Sequence, residues 1–234
     1  MRTITVSCFA VLLVLAPLSL AQEWELGGLG GYGITTGLNA KNPAGSADTG
    51  FKAGAAWGVF GGHNMHRRIG GEIRYEYRFG DAMVDAGEEA TFRAHAHIVH
   101  YDLLWHFADR GEKVRPFLAA GGGAKIFRGT GVERAYQPGN QFVLLTKTRE
   151  IQPVLSFGGG VKVKLNDLII LRAEVRDFLT PGPQRVLAPS PGAEINGLLN
   201  DIVPMVGIAF MIKYITGDSP HVSRAAARET CGLS

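Results

Sequence analysis

The chain has 234 residues, 24 lysines and arginines against 21 aspartates and glutamates, and a formal net charge of +3. The basic residues are mixed with acidic ones rather than clustered, which excludes the electrostatic footprint of a nucleic-acid-binding protein. The 32 glycines argue against a helical fold, because glycine is a poor helix former.

The N-terminus has the pattern of a secretory signal. Arg2 precedes an apolar stretch at residues 4–20, and the small residues Ser19 and Ala21 follow at its end. A positive region, an apolar region and a small-x-small cleavage site together define such a signal. We therefore expect residues 1–21 to be removed from the mature protein.

The sequence that remains after removal of the signal limits how the mature chain could form disulfides or cross a membrane. Cys8 would be lost, leaving Cys231 as the only cysteine, so no intrachain disulfide is expected. No later apolar run approaches the ~20 residues that a spanning helix needs. Any membrane crossing by the mature chain would therefore use strands.

Apolar and polar residues then alternate with a period of two, which is typical of β-strands. The clearest segment is residues 69–79, where Ile73 and Tyr75 fall on one face and Glu72 and Arg74 on the other. Eight strands are predicted, at residues 24–35, 50–61, 69–79, 93–107, 114–127, 150–165, 168–180 and 202–215.

The connections between the predicted strands alternate in length. Long connections are predicted at residues 36–49, 80–92, 128–149 and 181–201, and short ones at residues 63–68, 109–113 and 165–167. Long external loops and short periplasmic turns are the pattern of an outer-membrane barrel with both termini in the periplasm. The predicted fold is an all-β, eight-stranded, antiparallel up-and-down transmembrane barrel, formed by residues 22–215.

The two faces of the predicted strands differ in chemistry. One face is apolar, with aromatic residues near strand ends, and the other is charged. An eight-stranded barrel has an interior just wide enough for side chains, where opposite charges are expected to pair. The predicted lumen network comprises Glu72, Arg74, Glu76, Arg78, Asp102, Lys125, Lys162, Arg172, Glu174, Arg176 and Lys213.

Three segments carry a resemblance to a known family. Residues 115–123 and 171–178 are similar to strands of the OmpA-like, opacity-type outer-membrane barrels, and the resemblance extends over residues 24–214. The last strand resembles the signal by which the barrel-insertion machinery recognises such proteins, and its predicted residues are Val206, Ile208, Phe210, Ile212 and Tyr214. The resemblance implies a location in the outer membrane, among its lipids and lipopolysaccharide.

The chain departs from this family at its C-terminus. OmpA-like proteins often carry a periplasmic peptidoglycan-binding domain, whereas here only residues 216–234 follow the barrel. We expect this segment to be a disordered periplasmic tail. The final aromatic residue of the insertion signal also lies before the end of the chain.

Two sequence patterns suggest cofactors or metals, and neither is favoured. Residues 28–33 fit GxGxxG, but no helix is predicted after them, as a dinucleotide site requires. His95 and His97 fall on the opposite strand face from His100 and His106, which divides a candidate metal cluster. We predict no metal and no cofactor, and expect His95 and His97 to lie in a loop above the bilayer.

Catalysis is not predicted. Lipid A deacylases pair a histidine with a serine two residues later on a strand, and the one such pair here is His221 and Ser223 in the tail. The sequence therefore favours a structural or adhesin-like role, with the external loops binding a surface ligand. The alternatives are a small-solute channel, a lipid-modifying enzyme and a secreted soluble barrel that binds ligands.

Overall fold

The computed structural model describes residues 24–212, apart from 44 and 135. The predicted signal, the tail, Lys213 and Tyr214 lie outside the described residues. Where the chain is described, its regular secondary structure consists of β-strands. No helix in this part is long and apolar enough to cross a membrane.

The strands are numbered in chain order. They are β1 Trp24–Thr35, β2 Leu38–Asn42, β3 Gly45–Phe51, β4 Gly54–Asn64, β5 Ile69–Phe79, β6 Ala82–Asp85, β7 Glu89–Phe92, β8 Ala94–His106, β9 Val114–Gly129, β10 Val143–Leu145, β11 Arg149–Lys164, β12 Ile169–Pro181, β13 Leu187–Pro189, β14 Glu194–Asn196 and β15 Leu198–Ile212.

Eight long strands close into an antiparallel barrel, in the order β1-β15-β12-β11-β9-β8-β5-β4. Each is paired with the barrel strand before and after it in the chain. The barrel closes where β1 pairs with β15, with Trp24 opposite Ile212. The predicted eight-stranded up-and-down barrel is confirmed.

Side chains alternate between the inside and the outside of the barrel wall, as strand geometry requires. In β5, Glu72 and Arg74 are buried whereas Ile73 is 59% exposed. Every barrel strand exposes aliphatic residues outward, among them Leu26, Val59, Ile73, Val99, Leu118, Leu155, Val175 and Ile208. An apolar exterior around a charged interior is the inverse of a water-soluble barrel and fits a lipid environment.

The short connections all lie at one end of the barrel, here called the turn end. Arg67 and Arg68, between β4 and β5, donate hydrogen bonds of 2.6 and 3.0 Å to Asp109, between β8 and β9. The hydrogen bond from Arg68, with that from Arg67, holds the pKa of the Asp109 carboxyl below its usual range. The ion pairs of Asp109 with the two arginines therefore stabilise the protein at pH values above the usual pKa range of an aspartate. This stabilisation is lost as the pH falls through the lowered pKa of Asp109.

The four long connections form a folded unit at the opposite end, here called the cap. It contains a five-stranded sheet, β14-β2-β3-β6-β7, and a separate pair, β10-β13. Its apolar core draws on all four connections and continues into the barrel mouth. The core comprises Leu38, Ala40, Ala47, Ala82, Val84, Phe92, Ala94, Ala96, Phe127, Phe142, Val143, Leu145, Val186, Leu187, Ile195 and Leu199.

The cap corrects two predicted strand boundaries. Gly50 and Phe51, predicted to begin the second barrel strand, belong to β3 and pair with β6. The last barrel strand begins at Leu198 rather than residue 202, which brings Asp201 into the barrel. Residues 198–201 read Leu-Leu-Asn-Asp and have no period of two, so periodicity does not identify them as part of the last strand.

Candidate functional site: the barrel interior

Glycines on neighbouring strands make room for the long charged side chains of the interior. Glu174 lies opposite Gly160 in the strand pairing, and Arg176 lies opposite Gly158. A β-carbon added to Gly160 would lie 2.6 Å from the Glu174 Cβ, closer than packed carbons approach. The same pairing of an interior side chain with a glycine on the next strand occurs for Glu76 and Gly58, Asp102 and Gly121, His100 and Gly123, and Arg172 and Gly207.

The centre of the interior is a network of two arginines and two glutamates. Arg74 donates to Glu72 through Nε at 3.0 Å and Nη2 at 2.6 Å, and its Nη1 also donates to Glu174. Arg172 donates to Glu72 Oε2 at 2.5 Å and to Glu174 Oε2 at 2.7 Å. Each carboxylate therefore joins both guanidinium groups, and the network links β5 to β12 across the lumen.

Further charges extend this network toward the cap. Arg176 Nη1 donates to Asp102 Oδ2 at 2.6 Å, and His100 Nδ1 lies 3.1 Å from Asp102 Oδ1. Arg74 Nη1 donates to Glu76 Oε1 at 3.0 Å. Because these side chains are buried, pairing is what offsets the cost of removing them from water.

Separate ion pairs occupy the two ends of the lumen. Near the turn end, Lys162 donates to Glu25 at 2.6 Å. Near the cap, Lys125 donates to Asp201, and Arg78 Nη2 lies 3.6 Å from the same carboxylate. Charged groups thus fill the interior over its whole length.

Aromatic rings pack against the faces of the cations. The Arg172 guanidinium lies 4.6 Å from the centroid of Phe60 and 4.7 Å from that of Phe117. The aromatic rings cover the faces of the Arg172 guanidinium and leave its N–H groups free to donate to the carboxylates. Ion pairing and cation–π contact therefore both hold this guanidinium in place. The ring of Phe178 packs edge-on against the imidazole of His100.

The interior leaves little room for a solute. A cavity of about 20 Å³ lies beneath the cap beside Arg78 and Lys125. A second, of about 10 Å³, lies beside Glu25 and His106. Volumes of this size hold one or a few water molecules and no larger solute.

The match to known proteins agrees with this architecture. Residues 7–183 match the family described as "Outer membrane protein beta-barrel domain". The chain belongs to this family. It is an outer-membrane β-barrel, and the resemblance to an outer-membrane barrel family is confirmed.

Two solved structures show the same fold as this family member. The outer membrane protein OprG from Pseudomonas aeruginosa matches with a TM-score of 0.59 at 11% identity, covering 83% of this chain and 97% of OprG. A major outer membrane protein from Thermus thermophilus matches with a TM-score of 0.54 at 10% identity, covering 82% of this chain and 100% of that protein. No curated protein matches the chain by sequence.

The structure places the predicted lumen residues of this family member as follows. The buried ones are Glu72, Arg74, Glu76, Arg78, Asp102, Lys125, Lys162, Arg172, Glu174 and Arg176. Lys213 is outside the described residues. Of the predicted insertion signal, Val206, Ile208, Phe210 and Ile212 project outward from β15, with Val206 67% exposed, and Tyr214 is not described. Recognition of these residues by the insertion machinery stays a prediction.

Sequence reasoning missed several residues of the interior, among them Glu25, Asp201, Phe60 and Phe117. Glu25 could have been found from its parity, because it alternates with Trp24 and Leu26 in β1. Asp201 was assigned to a loop. Phe60 and Phe117 point inward, although aromatic residues were expected on the lipid side.

The histidine prediction is partly wrong. His95 and His97 lie in strand β8, not in a loop, and their rings contact Tyr77 on the outer surface at centroid distances of 5.3 and 5.1 Å. Within the described residues, no three His, Cys, Asp or Glu side chains converge as metal ligands. The GxGxxG segment, residues 28–33, lies inside strand β1.

Proposed function

We propose that this protein is a closed, non-enzymatic outer-membrane barrel that acts through the outer surface of its cap. The proposal rests on the observation that the lumen is closed in two ways, by the side chains that fill it and by the cap that covers its mouth. Ion pairs and aromatic rings fill the interior, and the cap covers its mouth with a continuous apolar core. A diffusion channel needs the opposite arrangement, an open polar lumen.

The orientation follows from the connections. The cap contains the long connections and the described chain ends lie at the turn end, so the cap faces the outside and both termini face the periplasm in this proposal. The insertion signal in β15 then approaches the insertion machinery from the periplasm. Membrane lipid and lipopolysaccharide surround the barrel.

A catalytic role has less support. Ser156 Oγ and His100 Nδ1 both contact Asp102, at 3.5 and 3.1 Å, which brings three residue types of a hydrolase together. All three are buried in the lumen, away from any cavity that could admit a substrate. A nucleophile needs a base within reach and access to its substrate, so we assign these residues to the structural network.

A planar-bilayer recording tests the closed lumen. The purified protein is expected to give no stable single-channel steps, because charged side chains and the cap block the path of an ion. An open porin recorded in the same lipid provides the positive control. Steady conductance from this protein would contradict the proposal and favour the small-solute channel.

The cap surface is tested with cells that display the protein. Val132 and Tyr136 are 84% and 69% exposed on the third long connection, where their replacement leaves the core intact. Exposed aromatic and aliphatic residues are frequent contacts in recognition surfaces. Val132→Ser/Tyr136→Ser is expected to reduce cell attachment or autoaggregation severalfold.

Leu165→Ser at the turn end serves as the control and is expected to keep attachment, since Leu165 is an exposed apolar residue away from the cap. Surface amounts of all three proteins are compared by limited proteolysis of intact cells. Equal attachment by the double variant and the unaltered protein would show that Val132 and Tyr136 do not contribute to binding.

A further inference from the structure

Two arginines lie side by side on the outer wall of the barrel just below the cap, in a row with a histidine and a phenylalanine. In neighbouring strands β8, β9 and β11, His95 is paired with Arg128, and Arg128 is paired with Arg149. All three side chains alternate with inward-facing neighbours and therefore project outward. Phe79 of β5, paired with His95, completes the row.

The two arginines lack a counter-charge in the described part of the chain. No carboxylate lies within 4 Å of either Arg128 or Arg149 there. Like charges directly opposite each other in a sheet are destabilising. A bound anion between the guanidinium groups would convert this repulsion into attraction, because guanidinium forks bind phosphate oxygens in pairs.

The surface on the turn-end side of the row is apolar. One step along the strands, the outward positions are occupied by Tyr77, His97, Ile126 and Ile151, again in direct register. Ile151 is 58% exposed. A molecule with its anion at the arginines would therefore extend an apolar body along this surface.

We propose that Arg128 and Arg149, with His95 beside Arg128, bind a phosphate of a lipid A-type glycolipid in the outer leaflet. The charged row matches the phosphate, and the aliphatic and aromatic residues beside it match the acyl chains. The choice of lipid A over another phospholipid rests on the proposed orientation, which places the cap end in the outer leaflet.

Binding is measured with the purified full chain in zwitterionic detergent micelles, to which lipid A is added. The protein is expected to bind bisphosphorylated lipid A at least about tenfold more tightly than dephosphorylated lipid A, since a charge-assisted contact is lost. Arg128→Gln/Arg149→Gln is expected to remove this preference. Arg67→Gln, with the same charge loss per site at the turn end, is expected to keep it.

A stability measurement guards against a misfolded variant. Without lipid A, Arg128→Gln/Arg149→Gln is expected to unfold at the same temperature as the unaltered protein or a higher one, because a like-charge pair is removed. With lipid A, the unaltered protein is expected to gain stability and the double variant not to gain it. Unchanged lipid A preference in a folded double variant would overturn the site.

Two further measurements distinguish a wrong choice of lipid from a wrong orientation. Phosphatidylglycerol binding as tight as lipid A binding would overturn the choice of lipid. Orientation is tested independently by adding protease to intact cells, because the micelle experiment does not depend on it. A cap protected from protease would overturn the orientation. If the cap is accessible and the unaltered protein shows no preference for phosphorylated lipid A, the lipid site alone is overturned.

Discussion

Replacing Glu72 with leucine is expected to lower the free energy of unfolding by about 3–5 kcal/mol, the cost of breaking a buried ion pair. Glu72 accepts hydrogen bonds from Arg74 and Arg172 and lies 3.7 Å from Arg176. Its removal leaves buried guanidinium groups with fewer carboxylates than they need. Urea unfolding in lipid vesicles measures the loss, and the mobility of unboiled protein on gels reports the folded fraction.

Two variants determine whether the effect comes from unpaired charge. Glu112→Leu, at an exposed position of a short turn, is expected to change stability by less than about 0.5 kcal/mol. Glu72→Leu/Arg172→Met removes one cation together with the carboxylate and is expected to recover part of the loss. Equal stability of Glu72→Leu and the unaltered protein would show that the network does not hold the barrel together.

Replacing Gly160 with alanine is expected to lower the free energy of unfolding by about 1–3 kcal/mol, the usual cost of overpacking. The added methyl group would clash with the carbonyl oxygen of Ala173 and would lie 2.6 Å from Glu174 Cβ. Neither atom is the mobile end of a side chain. The wall or the carboxylate must therefore move, and movement of Glu174 strains its bonds to Arg74 and Arg172.

Gly30→Ala is the matched control for this substitution. Gly30 lies in β1, and a β-carbon added there would meet nothing within 4 Å. Alanine restricts the unfolded chain equally at both positions, so the difference between the two variants isolates the steric effect. Similar urea midpoints for Gly160→Ala and Gly30→Ala would contradict the role assigned to the interior glycines.

The barrel was predictable from sequence because its strands are long and their period is strict. The segment that contains Glu72, Arg74 and Ile73 is a strand of 11 residues, so the inner and outer faces are assigned by parity alone. The individual ion pairs were not predictable. Arg74 and Glu174 are separated by 100 residues, and their contact depends on barrel closure and on the rotamers of long side chains.

Much of the cap was not predictable because several of its strands are short. Strands β10, β13 and β14 have 3 residues each, too few for a period of two to be distinguished from chance. Their pairing joins connections that are distant in the chain, as between Val143 and Pro189. Short-range sequence patterns identify such segments only as loops.

The residues of the cap core come from all four long connections, which affects when the outer surface of the cap can form during folding. Leu38, Val84, Val143 and Leu187 come from four different connections, and these meet only when every barrel strand has taken its place. A chain with one strand missing or misplaced cannot assemble the cap. We therefore expect the outer surface of the cap to form only in molecules whose barrel strands are all in place.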